Sequence, residues 1–548
     1  MIRNYILIAF RNIVRQKGYS LINISGLAVG IMSCLLILLY VTDELSYDRF
    51  HEKGDRIYRL IFRYTSPNGE AFNHSIGPYR LADELSVRYP EIEEVVRLSF
   101  PTPMELRNGE IAFTEDNVLL ADSNIFRVFT IDALAGDPAT ALTEPFTCMI
   151  SNEVARKFFG EENPVGKSLQ TDTPAGEAEI RITGVFRKFP GNSHVRPDVL
   201  VSMSTADYVF NDREKYNWGE GTVAYYLLLT DGTSREDLEA KFPALINEAF
   251  NAEDASESVK YWLQPLYDTH LKSDLRFDFE PHGDMTTVLV FSIVALFILI
   301  IATINYMNLA TARSARRARE VGLRKLAGAQ RSQLIRQFLA ESTSMVFLAM
   351  ILALILANFL LPIFNSISGK SFESTDLFNW KTAVILLLST LVIGILAGSY
   401  PSFVLSSFRP VKVLYRDTRG IGSGLILRKI LVVLQFSISI SLIISTLVIY
   451  SQWRHMSHMD LGINPENIVI APRPASGYET FKQEVLRNPN VLFVTSSNKR
   501  PTAGLTSNLG FTAEGIPEEE GQSIKIVTVD FDFFETVQYG FRLFLHPQ

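Results

Sequence analysis

The sequence predicts a multi-pass α-helical membrane protein with α+β extracytoplasmic domains. Three observations lead to this fold class. Five mostly apolar stretches are long enough to cross a bilayer, which takes about 20 residues. Three segments that flank them are rich in Lys and Arg, whereas residues 43–284 carry 43 acidic against 24 basic residues. That long acidic segment mixes helix-like and strand-like patterns, as a folded α+β domain does.

The five apolar stretches justify the membrane assignment better than the composition does. At 47% hydrophobic residues the chain is no more apolar than an average soluble domain, so the distribution decides. Buried helices of soluble proteins are the alternative, but they are usually shorter and have polar flanks. We therefore predict five spans, at residues 20–41, 286–310, 338–362, 382–405 and 430–450.

The charges of the connecting segments predict the orientation, because Lys and Arg are retained on the cytoplasmic side. Residues 1–19 carry four basic residues and no acid, and residues 311–336 carry eight basic residues and one acid. The linker 406–429 carries six basic residues and one acid. We expect these three segments in the cytoplasm and residues 43–284 and 451–548 outside, in a bacterial inner membrane.

The first 19 residues have a pattern of their own. Apolar residues recur there at helical spacing, with Arg and Asn between them. This favours a basic amphipathic helix lying on the inner membrane surface. A simple lead-in to the first span is the alternative.

The external segment 43–284 is long enough for a domain of one or two lobes. Helical patterns occupy residues 78–90, 151–159 and 235–250. The runs 179–186 and 223–229 are rich in β-branched and aromatic residues, which is typical of strands.

No motif in the chain predicts catalysis, a cofactor, a metal site or a nucleic-acid partner. The segment Gly160–Ser168 resembles a phosphate loop, but it has five residues between its glycines instead of four and follows a helix-like stretch. A structural turn is the better interpretation. His455 and His458 lack further ligands, so we expect a solvated pair. Cys34 lies in an apolar run and Cys148 in a polar region, so we expect no disulfide between them.

Gly26 and Gly30 form a GxxxG pattern in the first span. This spacing lets two helices approach closely. Contact with another helix of the chain and dimerisation of two subunits both remain open.

The most informative stretch is residues 313–331, a helical pattern dense in arginine directly after the second span. A basic loop that only sets the topology would need the charge alone and would not explain the regular glycines. The stretch resembles the MacB/FtsX/LolC family of ABC permeases, in which E-[IV]-G-[ILV]-R-[KR]-x-x-G-A follows the second span. In that family the segment contacts the ATPase subunit. The matching positions in this sequence are Glu320, Gly322, Arg324, Lys325, Gly328 and Ala329.

The resemblance covers residues 1–414. Asn23–Gly30 is similar to the family's first span, 151–194 to a MacB-type periplasmic core domain and 398–414 to the exit from its fourth span. The resemblance implies that 43–284 is a periplasmic core domain and that 286–405 is an FtsX-like permease domain with three spans. It also implies a cytoplasmic ABC ATPase dimer as partner, with a periplasmic adaptor and an outer-membrane channel.

The end of the chain resembles a second copy of the beginning. Ala121–Phe126 reads like Val529–Phe534, an offset of 408 residues. The same offset carries the first span onto the fifth. We therefore predict a tandem duplication in which 451–548 is a second, incomplete periplasmic core domain, and hence a fragment. The alternative is a five-span protein with a small C-terminal domain.

The resemblance implies a permease subunit that transmits ATP hydrolysis by a separate chain to its periplasmic domains. Few charges lie in the predicted spans, which argues against a solute pathway through them. Export of a peptide, drug or lipoprotein is the leading version. The alternatives are a non-transporting FtsX-like regulator of cell-wall hydrolases and a membrane sensor or adhesin without an ATPase.

Overall fold

The computed structural model divides the chain into two compact units. One unit is Met1–Leu45 with Met285–His458, and the other is Ser46–Asp284 with Met459–Gln548. The structure describes residues 11 and 13–537, apart from the segments 66–70, 174–175, 276–277, 313–320, 408–421, 460–466, 472, 474–476, 500–507 and 512–521. The predicted amphipathic helix at the N-terminus lies mostly outside the described residues.

The first unit is built on five helices that are long and apolar enough to span a membrane. Each predicted span lies within one of them, so the predicted fold class is confirmed. The first, third and fifth helices run at least three residues past the predicted limits at each end, because their polar end turns continue the helix. We call them S1 to S5: Lys17–Glu44, Met285–Ala312, Arg331–Ser368, Trp380–Ser407 and Gly422–Ser457. A short helix, Ser374–Leu377, lies between S3 and S4.

S1 to S4 pack around a shared apolar core. S1 contributes Leu27, S2 contributes Ala302, S3 contributes Ala349 and S4 contributes Ala397, all of them buried. The three alanines among them let the helix backbones approach. S5 is the exception, since none of its most apolar stretch is buried. Its described polar contact with S2 joins Asn308 Nδ2 to Gln435 Oε1 at 3.5 Å.

The second unit contains a sheet of 13 described strands. They are β1 Ile57–Thr65, β2 Ala71–His74, β3 Ile76–Gly77, β4 Ile92–Leu98, β5 Thr102–Asn108, β6 Ile111–Ala121, β7 Ala133–Gly136, β8 Thr147–Ser151, β9 Ser168–Thr173, β10 Gly176–Phe186, β11 Val199–Ser202, β12 Val223–Leu229 and β13 Val259–Pro265. The helices among them are α1 Leu81–Arg88, α2 Ile125–Val128, α3 Asn152–Phe159, α4 Ala206–Val209, α5 Asp212–Tyr216, α6 Arg235–Glu239, α7 Phe242–Phe250 and α8 Ala255–Ser258. Three short 3₁₀ helices cover Gly54–Arg56, Met203–Thr205 and Leu266–Asp268.

The sheet forms two lobes. The spatial order is β11-β8-β10-β9-β5-β6-β4-β12-β1-β13, and an additional β11–β6 pairing closes the first six strands into a ring. The ring encloses its own apolar core, and α3 packs against it through Val154 and Phe158. In the other lobe α1, α6 and α7 cover one face of the sheet.

Strand β12 is apolar along its whole length because both of its faces are covered. Every residue of Val223–Leu229 is buried. Its odd-numbered side chains enter the core under the helices, and its even-numbered ones enter a second core on the opposite face. Because successive side chains of a strand point to opposite faces, both faces demand apolar residues.

The remaining described part of the second unit is smaller. It contains the helices α9 Tyr478–Leu486 and α10 Phe533–Val537 and the hairpin β14 Asn508–Phe511 with β15 Gln522–Lys525. Ser497 and Val529 form an isolated antiparallel bridge.

Candidate functional site

Residues 321–330 and the start of S3 form a tight helical hairpin. Residues 321–326 are helical, and Glu320 lies outside the described residues. The turn that follows carries the paired hydrogen bonds of a Schellman motif. The Ala329 amide donates to the Arg324 carbonyl at 3.0 Å, and the Gly328 amide donates to the Lys325 carbonyl at 3.1 Å.

Gly328 is required by the backbone of this turn. Its φ is +90°, and a Cβ built there would meet nothing within 4 Å. A glycine is therefore favoured here by the backbone conformation and not by a lack of space for a side chain. For L-residues the left-handed region costs about 1–2 kcal/mol. Close approach to a partner is not needed to explain this glycine.

The hairpin is anchored to S3 by apolar and polar contacts. Val321 is buried against Leu334 and Phe338. The Arg324 guanidinium donates to Gln337 Oε1 at 2.9 Å. Gln330, just before S3, and Gln333 form a reciprocal capping box, which satisfies amides that a helix start leaves open. The hairpin and the start of S3 are thus one rigid piece.

The hairpin exposes two apolar side chains, although its sequence is rich in basic residues. Leu323 and Leu326 are 64% and 61% exposed. They stand three residues apart and so share one face of the helical turn. The pKa of Lys325 beside them is lowered, first by partial burial and then by the charge of Arg331. Gly322 is buried and Ala329 half-buried.

This leucine pair is not among the residues predicted from the sequence, because the charge and the glycines dominate the pattern of the stretch. Two leucines at helical spacing in a predicted cytoplasmic segment were the available signal. The structure therefore shifts attention from Gly328 to Leu323 and Leu326 as the surface that a partner can contact.

The glycine pair of S1 faces S2 of the same chain. A Cβ on Gly30 would lie 2.6 Å from the Cβ of Ala302, so only glycine fits this approach. A Cβ on Gly26 would lie 3.6 Å from Asn305 Nδ2, an ordinary contact.

A second glycine pair, Gly394 and Gly398 in S4, was missed although it has the same spacing. A Cβ on Gly394 would lie 2.7 Å from Thr343 Oγ1, and one on Gly398 would lie 2.7 Å from Ser342 Oγ. The absence of these two side chains lets S4 lie close against S3.

Polar groups also lie inside the helix bundle. The Tyr306 hydroxyl of S2 donates to Ser342 Oγ of S3 at 2.9 Å, and both residues are buried. Glu341, next to it on S3, is 5% exposed. Ionisable residues in membrane segments are rare and usually functional. Glu341 was not predicted from the sequence as a functional residue.

The second unit contains a buried polar cluster around Asp48. His194 Nδ1 lies 2.8 Å from Asp48 Oδ2, and its Nε2 lies 2.7 Å from the Tyr226 hydroxyl. The Thr130 amide donates to His51 Nδ1 at 3.1 Å, and His51 Nε2 lies 4.0 Å from Asp48 Oδ1.

The acidity of these groups follows from their burial. Burial lowers the pKa of His51 to about 4 against the opposing charge of Asp48. Burial would raise the pKa of Asp48, but the charge and hydrogen bonds of His194 outweigh it and lower that pKa. Burial raises the pKa of Tyr226. An acid, a histidine and a hydroxyl in line resemble a catalytic relay, but the hydroxyl is completely enclosed and cannot reach a substrate.

The glycine loop, the histidine pair and the cysteines have ordinary surroundings. Gly160 ends helix α3 and Gly166 has a φ of +88°, so the loop between them is a turn that leads into β9. Among the described residues, no group of three or more His, Cys, Asp or Glu could hold a metal ion. His458 lies exposed with its Nδ1 at 2.9 Å from the Arg454 carbonyl. Cys34 and Cys148 are free thiols.

Two protein-family models match the chain. Residues 20–245 match the MacB-like periplasmic core domain, and residues 292–410 match the FtsX-like permease C-terminal domain. The two matches follow each other in the order that the sequence analysis expected.

Curated relatives agree with the two family models. The "Macrolide export ATP-binding/permease protein MacB" of Bdellovibrio bacteriovorus is 24% identical over 274 residues, which is 48% of this chain and 38% of that protein. The MacB of Vibrio parahaemolyticus is 30% identical over 272 residues, 49% of this chain and 38% of that protein. This chain thus spans well under half the length of these MacB relatives. An uncharacterized ABC transporter permease of Methanocaldococcus jannaschii is 18% identical over 415 residues, 74% of this chain and 96% of that protein.

Two solved structures with some likeness are parts of larger proteins. One is a domain of a putative permease protein from Porphyromonas gingivalis, with 22% identity, a TM-score of 0.34 and coverage of 44% of this chain and 99% of that one. Another is the periplasmic region of MacB from Actinobacillus actinomycetemcomitans, with 14% identity, a TM-score of 0.28 and coverage of 39% and 91%.

Proposed function

Because the chain belongs to the MacB/FtsX-type family of ABC transporter permeases, we propose that its S2–S3 hairpin docks on a separate cytoplasmic ATPase. ATP binding and hydrolysis there would move the spans, and the spans would move the periplasmic domain. The substrate would be handled outside the membrane, as in export of a peptide, drug or lipoprotein. A periplasmic adaptor and an outer-membrane channel would complete the path.

The observation that carries this proposal is the rigid hairpin with an exposed apolar face. Leu323 and Leu326 are exposed, and in a hairpin that lies in the cytoplasm this apolar area is unfavourable unless a partner covers it. The capped start of S3 and the buried Val321 hold this face in place. A small preorganised apolar anchor is the kind of surface that supplies binding energy in a protein interface.

The chemistry of the partner surface follows from the residues around the leucines. Lys325 lies between them in the chain, and it is repelled by the charge of Arg331. An acidic rim on the ATPase would relieve that repulsion and add specificity. We therefore propose an apolar pocket with acidic groups at its edge as the docking site on the ATPase.

The proposal also fixes the orientation of the chain. The hairpin must lie in the cytoplasm, which agrees with the excess of basic residues in 311–336 and in 1–19. A cysteine in place of Lys325 should resist an impermeant thiol reagent in intact cells whose outer membrane has been permeabilised. Labelling under those conditions would reverse the orientation and remove the docking site from the cytoplasm.

Docking is tested by placing a charge on the apolar face. The double variant Leu323→Asp, Leu326→Asp should insert normally but lose co-purification with the ATPase, with binding weakened at least tenfold. That factor corresponds to about 1.4 kcal/mol, less than burial of one leucine supplies. Ser332→Asp is the matched control, because Ser332 is exposed and belongs to S3, beyond the turn at Gly328. It should bind like the parent.

A bulky substitution at Gly328 is not a suitable test of docking. Gly328→Leu would distort the turn itself, because the φ there is positive. Gly328→Asn keeps a residue that tolerates this conformation and should retain most of the binding. Unchanged ATPase binding by the double aspartate variant, in membranes where it is correctly inserted, would refute the docking proposal.

A further inference from the structure

The outer end of S1 presents two adjacent acidic residues in an unfavourable place. S1 ends at Glu44, directly after Asp43. The carboxyl end of a helix carries a partial negative charge, so acids there are repelled by the helix and by each other. Glu44 is also buried, at 4% exposure. This arrangement needs a cation from another part of the unit.

Lys370 supplies that cation. Its Nζ lies 2.7 Å from Asp43 Oδ2 and 2.7 Å from Glu44 Oε1. The lysine side chain is itself 15% exposed, so the three charges are largely withdrawn from water. Its Nζ also lies 5.7 Å from the centre of the Tyr40 ring, a favourable cation–π position. Tyr40 in turn contacts Phe291 of S2, with ring centres 5.5 Å apart.

The turn that carries Lys370 is fixed to the end of S3. Gly369 ends S3 in the left-handed conformation, with a φ of +68°. The Asn365 side chain of S3 then forms two hydrogen bonds with the backbone of Phe372, which lies beyond this cap. Its Nδ2 donates to the Phe372 carbonyl at 2.8 Å, and its Oδ1 accepts from the Phe372 amide at 3.2 Å. Lys370 therefore moves with S3.

S3 connects this ion cluster to the hairpin at the other side of the membrane. It is one helix of 38 residues, from Arg331 to Ser368, and at 1.5 Å per residue it is about 57 Å long. That exceeds the hydrocarbon thickness of about 30 Å. Its first turns hold the hairpin through Phe338 and Leu334, and its last turn holds Lys370.

We propose that Lys370, Asp43 and Glu44 form a latch that makes S1 follow S3. Displacement of the hairpin moves S3, and Lys370 passes this movement to the end of S1, from which the chain continues at Ser46 into the second unit. Lys370 is thus a positioning residue. The inference rests on the proposed function for the source of movement, but the latch itself is a property of this chain.

Two pairs of spin labels, one at each end of S1 and S3, separate the latch from the coupling. Both native cysteines are first replaced by alanine. Leu38→Cys with Ile367→Cys reports the outer ends, and Lys17→Cys with Ser332→Cys reports the inner ends. All four positions are exposed. Distances are measured by pulsed electron paramagnetic resonance on the full chain in lipid nanodiscs, alone and with the purified ATPase and nucleotide.

Without any ATPase, Lys370→Met should broaden the outer distance distribution and leave the inner one unchanged. With ATPase and nucleotide, the inner distance should still shift in this variant, but the outer distance should lose its shift. Lys370→Arg keeps the charge and should restore the parent behaviour. Lys272→Met is the matched control, since it removes a more exposed lysine that pairs with Asp268 at 2.9 Å.

The outcomes distinguish the two claims. An outer distance that keeps its width and its nucleotide response in Lys370→Met overturns the latch, whatever the ATPase does. If the outer distance distribution of Lys370→Met is broader at rest but still shifts fully with nucleotide, Lys370 only holds the two helix ends together locally. That result also overturns the proposal that Lys370 transmits the movement of S3 to S1. If neither distance in the parent protein shifts with ATPase and nucleotide, the proposed function fails. The width of the outer distance distribution at rest then still decides whether the ion cluster holds S1 to S3.

Discussion

The Arg59–Asp278 pair makes a sharp test of how the second unit is held together. The Arg59 side chain, on β1, is completely enclosed, and Asp278 is 7% exposed. Arg59 Nη1 donates to both Asp278 oxygens, at 2.6 and 2.8 Å. Its Nη2 donates to Gln264 Oε1 at 2.8 Å and to Ser273 Oγ at 3.0 Å. Of these three partners, Asp278 alone carries a formal negative charge.

Asp278→Ala should lower the free energy of unfolding of this unit by about 3–5 kcal/mol, because it leaves a buried guanidinium without its counter-charge. Asp278→Asn should cost nearly as much, since it keeps the shape and removes the charge. The matched control is Glu220→Ala. It breaks the Arg213–Glu220 pair, whose arginine is 76% exposed, and should cost at most about 1 kcal/mol.

Hydrogen exchange of the β1, β12 and β13 amides in the full chain measures this loss without separating the units. A cost of about 3 kcal/mol raises the opening constant roughly a hundredfold or more. Exchange in Asp278→Ala that rises no further than in Glu220→Ala would refute the reasoning, because the pair would then contribute no more than a surface ion pair.

Two further predictions concern pH and helix packing. The pKa of His51 is about 4 in the fold against about 6.5 when unfolded, so its contribution is complete above pH 6.5. It is lost as the pH falls from about 6.5 to about 4, by up to roughly 3 kcal/mol. Unfolding measured across that range should show this slope, and His51→Gln should flatten it; an unchanged slope in His51→Gln would contradict the assignment to His51. Gly398→Leu should destabilise the membrane unit by about 1–3 kcal/mol, because its Cβ would clash with Ser342. Gly18→Leu, with nothing within 4 Å, is the control; equal melting temperatures for the two variants in detergent would contradict the close S3–S4 packing.

The sequence predicted the kinds of element well because their patterns are local. The strand pattern at 223–229 coincides with β12, and the helical pattern at 151–159 nearly coincides with α3. The predicted helix 235–250 is instead two helices, α6 and α7, with Pro243 in the first turn of the second. Proline is well suited to that position, so it marks a helix start.

The ends of the spans could not be read from hydropathy. The third span was predicted at 338–362, but S3 covers Arg331–Ser368. Hydropathy reports only the part that matches the hydrocarbon, whereas the capping box and the Gly369 cap decide where the helix begins and ends. These polar end turns matter here, since they carry the hairpin and Lys370.

The contacts of the candidate site were beyond sequence reasoning for a different reason. Lys370 and Glu44 lie far apart in the chain, and no local pattern pairs them. Gly328 was predicted as part of a contact surface, and its role in that contact stays a prediction. Its positive φ supplies a sufficient reason for the glycine within the chain itself. A residue of a sequence motif can thus be required by the conformation of a turn as well as by contact with a partner.

The predicted duplication has a counterpart in the backbone of the second unit, although it stays a prediction. The Asp122 amide donates to the Arg97 carbonyl at 3.3 Å, and the Asp530 amide donates to the Ser496 carbonyl at 2.9 Å. Each aspartate then accepts, through its carbonyl, the amide three residues on at 3.1 Å and so starts a short helix. Their carboxylates differ in partner: Arg97 for Asp122 and Lys482 for Asp530. If both segments descend from one ancestor, the backbone frame was retained while the cation moved to another element, because amide geometry constrains a fold more tightly than the source of a counter-charge.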